Sequence, residues 1–207
     1  MIKTWIADIR SLYDDDRYRQ YYRKVPGFRQ IKADKIRSQS GKAQSVGVWI
    51  LWERMKEQFQ ITETAPHNFS HSGDYVLCSA DIDSSQTWVG CDIEQIKPLN
   101  LRLAGRFYCP LEYQLILQQN TLAAQTELFY RFWVLKESFM KATGKGMAID
   151  TRAFEFVLED PPRLIKQPEA FPEKYYFKEY ELPGLSYKIA VCSTDARSDP
   201  EIYPEQL

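Results

Sequence analysis

Leu128, Phe132, Leu135 and Phe139 recur at intervals of three and four residues, so they form one buried stripe of a long helix that includes Trp133 to Ala142. Gly144 supplies its stop. A second stripe, Val48, Leu51, Met55 and Phe59, predicts another helix over Lys42 to Phe59. β-favouring runs follow each helix. Tyr75 to Ala80 and Trp88 to Glu94 read as a hairpin around the turn residues Asp81 to Thr87. Phe154 to Leu158, Tyr175 to Glu181 and Tyr187 to Cys192 read as later strands, the last two joined through Pro183-Gly184. Leu99 to Leu117 reads as helical with a break at Pro110, Gln118 to Gln125 as a polar connection, and Pro161 to Pro172 as a loop. The fold class is α+β. Each half offers a long helix followed by strands, an echo that suits two similar subdomains, 1–98 and 99–207, meeting near Pro98.

Charge excludes some functions and singles out one segment. The formal net charge of −1 gives no global basic character for nucleic acid, and no apolar run reaches the length of a bilayer span. Between Arg17 and Lys42, nine Lys and Arg stand against the single acid Asp34, so this segment carries +8 and the remainder −9. That imbalance suits either a solvated helical face or an anionic partner. Met1 to Arg10 reads as an edge strand without the apolar core of a signal peptide, which points to the cytoplasm. Cys78, Cys91, Cys109 and Cys192 have no metal-type spacing and read as core residues or free thiols. His67 and His71 have helical metal-ligand spacing, but Pro66 and Gly73 speak against a helix there.

On the helix alone, Glu137 and Lys141 are a solvated ion pair one turn apart, worth about 0.2–0.5 kcal/mol. A second acidic group upstream alters that reading. In Val89-Gly90-Cys91-Asp92-Ile93-Glu94, strand alternation puts Asp92 and Glu94 on one face. Adjacent carboxylates repel, and a hard cation such as Mg2+ relieves the repulsion with oxygen ligands. Glu137 can complete such a site, with Lys141 facing a phosphate. Ser70 and His71, beside Gly73, are further polar candidates for an anion.

Gly90-Cys91-Asp92-Ile93-Glu94, then Trp133 to Lys141 with Gly144-Lys145-Gly146, and upstream Asn68 to Gly73, resemble the signatures of Sfp-type 4′-phosphopantetheinyl transferases. The three blocks stand in the family's order, and the resemblance covers roughly residues 42 to 192. It implies a pseudo-two-fold pair of subdomains, each a long helix on a small antiparallel sheet, with the active site in the cleft between them. It also implies transfer of the phosphopantetheine arm of coenzyme A to a serine of an acyl or peptidyl carrier protein, with Mg2+ required and adenosine 3′,5′-bisphosphate released. The carriers serve fatty-acid, polyketide or nonribosomal peptide synthesis, and family members of this length are monomers.

Carried over by position, Asp92, Glu94 and Glu137 would hold Mg2+ and Lys141 would neutralise the phosphate under attack. Ser70 and His71 would contact coenzyme A phosphates, with Arg29, Lys32 and Lys42 near the 3′-phosphate. The base would be Glu137 or the acid at Glu112, with Glu112 preferred. The chain departs from the family in two places. It lacks the Gly-Lys-Pro block before Asn68, and Gln44-Ser45-Val46 stands where relatives carry an arginine before Ser-Leu. Those departures motivate an alternative, a catalytically silent module that binds coenzyme A or a carrier. A nucleotide hydrolase is disfavoured because no Gly-x-x-x-x-Gly-Lys-[Ser/Thr] loop is present.

Overall fold

The computed structural model describes residues 1–99 and 101–207. Strand β1 (Ile2–Asp8) is followed by two short helices, α1 (Asp15–Tyr22) and α2 (Gly27–Asp34), which carry much of the basic segment. The first long helix, α3 (Gln39–Phe59), starts where the Ser38 hydroxyl accepts the Gly41 amide, satisfying one of the free donors of the first turn. It stops at Gln60, whose φ of 52° ends the helical path. Strands β2 (His67–Ser72) and β3 (Tyr75–Asp81) then form a hairpin through Gly73 and Asp74. Gly73 has φ 54°, which a tight two-residue connection requires at its first position.

Strand β4 (Val89–Gln95) leads into helices α4 (Leu101–Phe107), α5 (Pro110–Leu117) and α6 (Leu122–Ala142), the second long helix. The expected break at Pro110 is present; Asn100, in the same stretch, lies outside the described residues. The remaining strands are β5 (Glu155–Val157), β6 (Arg163–Lys166), β7 (Tyr176–Tyr180), β8 (Tyr187–Ser193) and β9 (Ser198–Gln206). The β7–β8 hairpin forms through Pro183-Gly184 as expected, whereas β6 occupies part of the segment read as a loop.

Hydrogen bonding groups the strands as β2-β3-β1-β9, β4-β8-β7 and β5-β6. Two expectations are corrected by this order. β3 and β4 do not form a hairpin: β3 pairs with β1 and β2, and β4 pairs with β8 in the other sheet. β1 is not an edge strand, because it lies between antiparallel β3 and parallel β9. The Pro98 position falls between β4 and α4, while pairing assigns β4 to the second sheet and brings β9 back to the first.

Strand alternation sorts the core into layers. Trp5, Val76 and Cys78 point to α3 and meet Leu51, Trp52 and Met55. Ile2, Ile6 and Leu77, on the opposite face, meet Cys91, Ile93, Ile189 and Val191 of the second sheet. Ala190 and Cys192 point outward to α6 and pack with Phe132, Leu135 and Phe139. The result is α+β in four layers, α3, sheet, sheet and α6, each long helix lying on its own small sheet. All four cysteines are buried and free, as expected. Among the described residues no helix is long and apolar enough to cross a membrane.

Candidate functional site

Gly90 determines how closely α6 approaches β4. A Cβ at this position would overlap Ser138 O and Ala142 N and lie 2.9 Å from Ala142 Cα, so only glycine lets the helix backbone rest on the strand. Residues of β4 with the parity of Gly90 face that helix, while Cys91 and Ile93 enter the core between the sheets. Asp92 and Glu94 therefore emerge together beside Glu137 and Lys141, as their alternation predicts. With Phe69, Ser70, His71 and Trp133 these four line one cavity of about 340 Å3.

Lys141 does not pair with Glu137 one turn below it. Its Nζ donates to Asp92 Oδ1 at 2.6 Å, to Ser70 Oγ at 2.9 Å and to the Cys91 carbonyl at 3.2 Å, which uses all three protons. Burial opposes the ammonium charge, but the adjacent Asp92 outweighs it and holds the lysine pKa above its ordinary value. Burial raises the carboxyl groups of Glu94 and Glu137, and the charges of neighbouring acids push in the same direction. Burial likewise pushes Asp92 upward, against the pull of Lys141. Of the three carboxylates, only Asp92 is within ion-pair distance of Lys141, and Glu94 is held by Ser72 instead.

The donor set fits a hard cation. Asp92 is only 3% exposed, and its Oδ2 is buried with no hydrogen-bond partner, a costly arrangement for a carboxylate oxygen unless a ligand completes it. Among the described residues no three acid, His or Cys side chains form a ready-made metal cage. Mg2+ does not need one, since it binds through one or two carboxylates together with water and substrate phosphates.

The other expected residues separate into those the cavity includes and those it does not. Ser70 is 5% exposed and its hydroxyl is fully engaged: it donates to Asp92 Oδ1 (2.8 Å) and accepts from Ile93 N and Lys141. That corrects its expected role as a phosphate contact, because no donor remains; it braces Asp92 and Lys141. His71 reaches the surface at the cavity wall, where burial by its neighbours and then the charges of Lys141 and Lys32 lower its pKa and favour the neutral ring. Lys32 is exposed on α2 near this mouth. Arg29 is buried, with its guanidinium 4.7 Å from the Trp49 ring centre and 5.9 Å from that of Phe69, and its Nε is unpartnered. Lys42 lies on the first turn of α3 and does not line the cavity.

Glu112 is a correction. It is fully buried as the third residue of α5, where Oε2 accepts the Cys109 amide and Oε1 the Phe156 amide, both at 2.9 Å. Its Oε2 also meets Lys136 Nζ at 2.9 Å. Lys136, itself 1% exposed, donates to the carbonyls of Thr151 and Phe154 as well. This carboxylate caps a helix and neutralises a core lysine, and none of its contacts belongs to the cavity, so it is not placed to act as a base. The sequence contained a sign of this, an acid three residues after the helix cap. His67 stacks on Trp52, with ring centres 4.2 Å apart, instead of joining His71.

Residues that sequence reasoning passed over are Phe69, Trp133, Asn68 and Ser72. The first two wall the cavity. Asn68 and Ser72 share a face of β2 with Ser70, an alternation visible in the chain, and both reach β4: Asn68 Oδ1 accepts the Cys91 amide and Ser72 donates to Glu94 Oε2 at 2.7 Å.

The sequence model described as the 4′-phosphopantetheinyl transferase superfamily matches residues 88–192, a span that includes Asp92, Glu94, Glu137 and Lys141. The 4′-phosphopantetheinyl transferase Sfp of Bacillus subtilis (strain 168) is 40% identical over 131 residues, covering 62% of this chain and 55% of the relative. Another 4′-phosphopantetheinyl transferase of Bacillus subtilis is 32% identical over 184 residues, covering 86% and 79%. The chain spans 55% and 59% of the length of the first two curated relatives it matches. Thermotoga maritima holo-(acyl-carrier-protein) synthase superposes with a TM-score of 0.43 at 21% identity, over 51% of this chain and 61% of that one.

Proposed function

The chain belongs to the 4′-phosphopantetheinyl transferase superfamily, and on that premise we propose that it transfers the 4′-phosphopantetheine arm of coenzyme A to a carrier-protein serine. Adenosine 3′,5′-bisphosphate leaves. The observation that carries this reading is the convergence of Asp92, Glu94, Glu137 and Lys141 on one cavity in which Asp92 Oδ2 has no partner.

Asp92, Glu94 and Glu137 would hold Mg2+, which when bound neutralises charge on the coenzyme A pyrophosphate. The chain's own groups do the rest. Lys141 is kept protonated beside Asp92 and presents its charge to the phosphoryl group as the serine oxygen attacks and the bond to the leaving phosphate breaks. Glu137 takes the serine proton, directly or through water, from its place on the cavity wall. Neutral His71 donates a hydrogen bond to a phosphate oxygen. Arg29, Lys32 and Lys42 are the basic groups we assign to the 3′-phosphate.

Carrier proteins that are acidic around the serine would be steered by the +8 segment, most of whose Lys and Arg side chains are exposed on and beside α1 and α2. The buried free cysteines suit a reducing compartment, and we assign the protein to the cytoplasm as a monomer with subdomains 1–98 and 99–207 that exchange strands, β4 joining the second sheet and β9 the first. The test mixes the protein with Mg2+, coenzyme A and apo carriers and looks by mass spectrometry for the added arm. Modified carrier is the expected result. Coenzyme A binding without transfer to any of several carriers would instead identify the silent module.

A further inference from the structure

Strands β2 and β4 are edge strands of different sheets, and their facing edges are not joined by backbone pairing. They are joined by side chains in a regular register. Asn68 Oδ1 accepts the Cys91 amide (3.1 Å), Ser70 Oγ the Ile93 amide (3.3 Å) and Ser72 Oγ the Gln95 amide (3.0 Å). Each rung spans 23 residues, so both strands advance in the same direction, two residues per rung. Residues 91, 93 and 95 alternate along β4, and their amides point away from β8, where a strand edge otherwise leaves donors unsatisfied.

The upper two rungs have a second function. Ser70 donates to Asp92 and Ser72 to Glu94, each carboxylate belonging to the residue before the amide that the same hydroxyl accepts. One oxygen therefore fixes the strand and the side chain it presents. The first rung differs: Asn68 holds the Cys91 amide, and the residue before it, Gly90, has no carboxylate to orient.

We infer that Asn68, Ser70 and Ser72 form a side-chain ladder that substitutes for backbone pairing between the two sheets, and that Ser72 is a positioning residue for Glu94. The part concerning Glu94 rests on the transferase reading; the ladder does not. A hydroxyl holds the strands one side chain farther apart than backbone bonds would, which leaves β4 room to present Asp92 and Glu94 under α6. It also restricts Glu94 to one orientation before any ligand arrives, as second-shell partners do for ligating carboxylates.

The test compares Ser72→Ala, Ser72→Thr and Asn68→Ala in the full chain. Amide hydrogen exchange is followed at Cys91, Ile93 and Gln95, and the Mg2+ concentration for half-maximal transfer is measured alongside. Ser72→Ala should speed exchange at Gln95 while leaving Cys91 protected, and should raise the Mg2+ half-saturation about 10-fold, with a smaller effect on the rate at saturating Mg2+. Ser72→Thr, which keeps the hydroxyl, should restore both. Asn68→Ala should deprotect Cys91 without moving the Mg2+ half-saturation. If Asn68→Ala shifts Mg2+ dependence as far as Ser72→Ala, or if Ser72→Ala leaves it unchanged, the positioning role is wrong. Unchanged exchange at Gln95 in Ser72→Ala overturns the ladder itself. If the wild-type protein transfers nothing, the transferase reading fails separately; exchange still decides the ladder, and calorimetric titration of Mg2+ in the presence of coenzyme A decides the Glu94 role.

Discussion

Replacing Glu112 with Gln separates a structural acid from a catalytic one. The wild-type carboxylate uses both oxygens on backbone amides, Cys109 and Phe156, and shares one with Lys136. Gln has a single oxygen, so one amide would face an NH2 group and lose its acceptor, at a cost of about 1–3 kcal/mol. Lys136, 1% exposed, would also lose its counter-charge, keeping only the Thr151 and Phe154 carbonyls. Removing one partner of a buried ion pair costs about 3–5 kcal/mol, and because the two losses overlap we take that range for the whole substitution. In a chain of this size each kcal/mol lowers Tm by about 2–4 °C, which predicts a fall of roughly 6–20 °C. The assay pairs thermal unfolding with transfer rates measured well below the variant's Tm. A capping acid leaves kcat within about threefold, whereas loss of a general base lowers it by about 10²–10⁴. An unchanged Tm with a hundredfold slower reaction would refute the packing argument and return Glu112 to the chemistry.

Three further outcomes follow from named contacts. Gly90→Ala forces a methyl group into the α6 backbone, so denaturant unfolding should reveal a loss of about 1–3 kcal/mol or more, with transfer reduced because Glu137 and Lys141 lift from β4; a wild-type midpoint would contradict the close approach. Mg2+ with coenzyme A should raise the melting temperature of the wild-type protein and Asp92→Asn should abolish that rise; an undiminished rise in the variant would exclude Asp92 as a ligand. Asp199 is buried, which opposes its charge, yet bonds from Lys3, the Glu201 amide and Tyr203 hold its carboxyl below the ordinary range. A depressed carboxyl stabilises the fold fully above its unfolded pKa of about 3.9, and the contribution is lost as pH falls through the lower folded value. Melts between pH 2 and 6 should therefore show a steeper acid limb in the wild type than in Asp199→Asn, and parallel limbs would remove Asp199 from the account.

Local periodicity made the long helices and the acidic face of β4 readable, because those signals depend on near neighbours in the chain. Pairing between distant segments was not readable. β9 carries Pro200, Pro204 and several acids and lacks an apolar alternation, yet as an edge strand with one partner it tolerates prolines. Lys3 made β1 look like an edge, but this lysine reaches across to Asp199 of that unrecognised neighbour. Asp81 to Thr87 has the composition of a hairpin loop and serves as a crossing between sheets, a choice made by burial on both faces of β3 and β4 rather than by the loop. In the site, spacing indicated that Glu137 and Lys141 share a side of α6. It could not indicate that Lys141 would bond Asp92 across the cavity.

That bond explains why the site lies at the junction of the two sheets. Asp92 and Glu94 come from one sheet, their serine braces from the other, and Glu137 and Lys141 from the helix resting on Gly90. None of these groups meets the rest until the sheets dock, so the unfolded chain has no comparable cation site. Docking leaves Asp92 Oδ2 buried and unpartnered, a cost that the proposed cation would relieve. On the proposed reading, ligand binding and sheet docking are one linked equilibrium: an occupancy a hundredfold above Kd adds about 2.7 kcal/mol to stability, and a variant that cuts the Ser72 rung and weakens binding about 10-fold should keep roughly half of that increment.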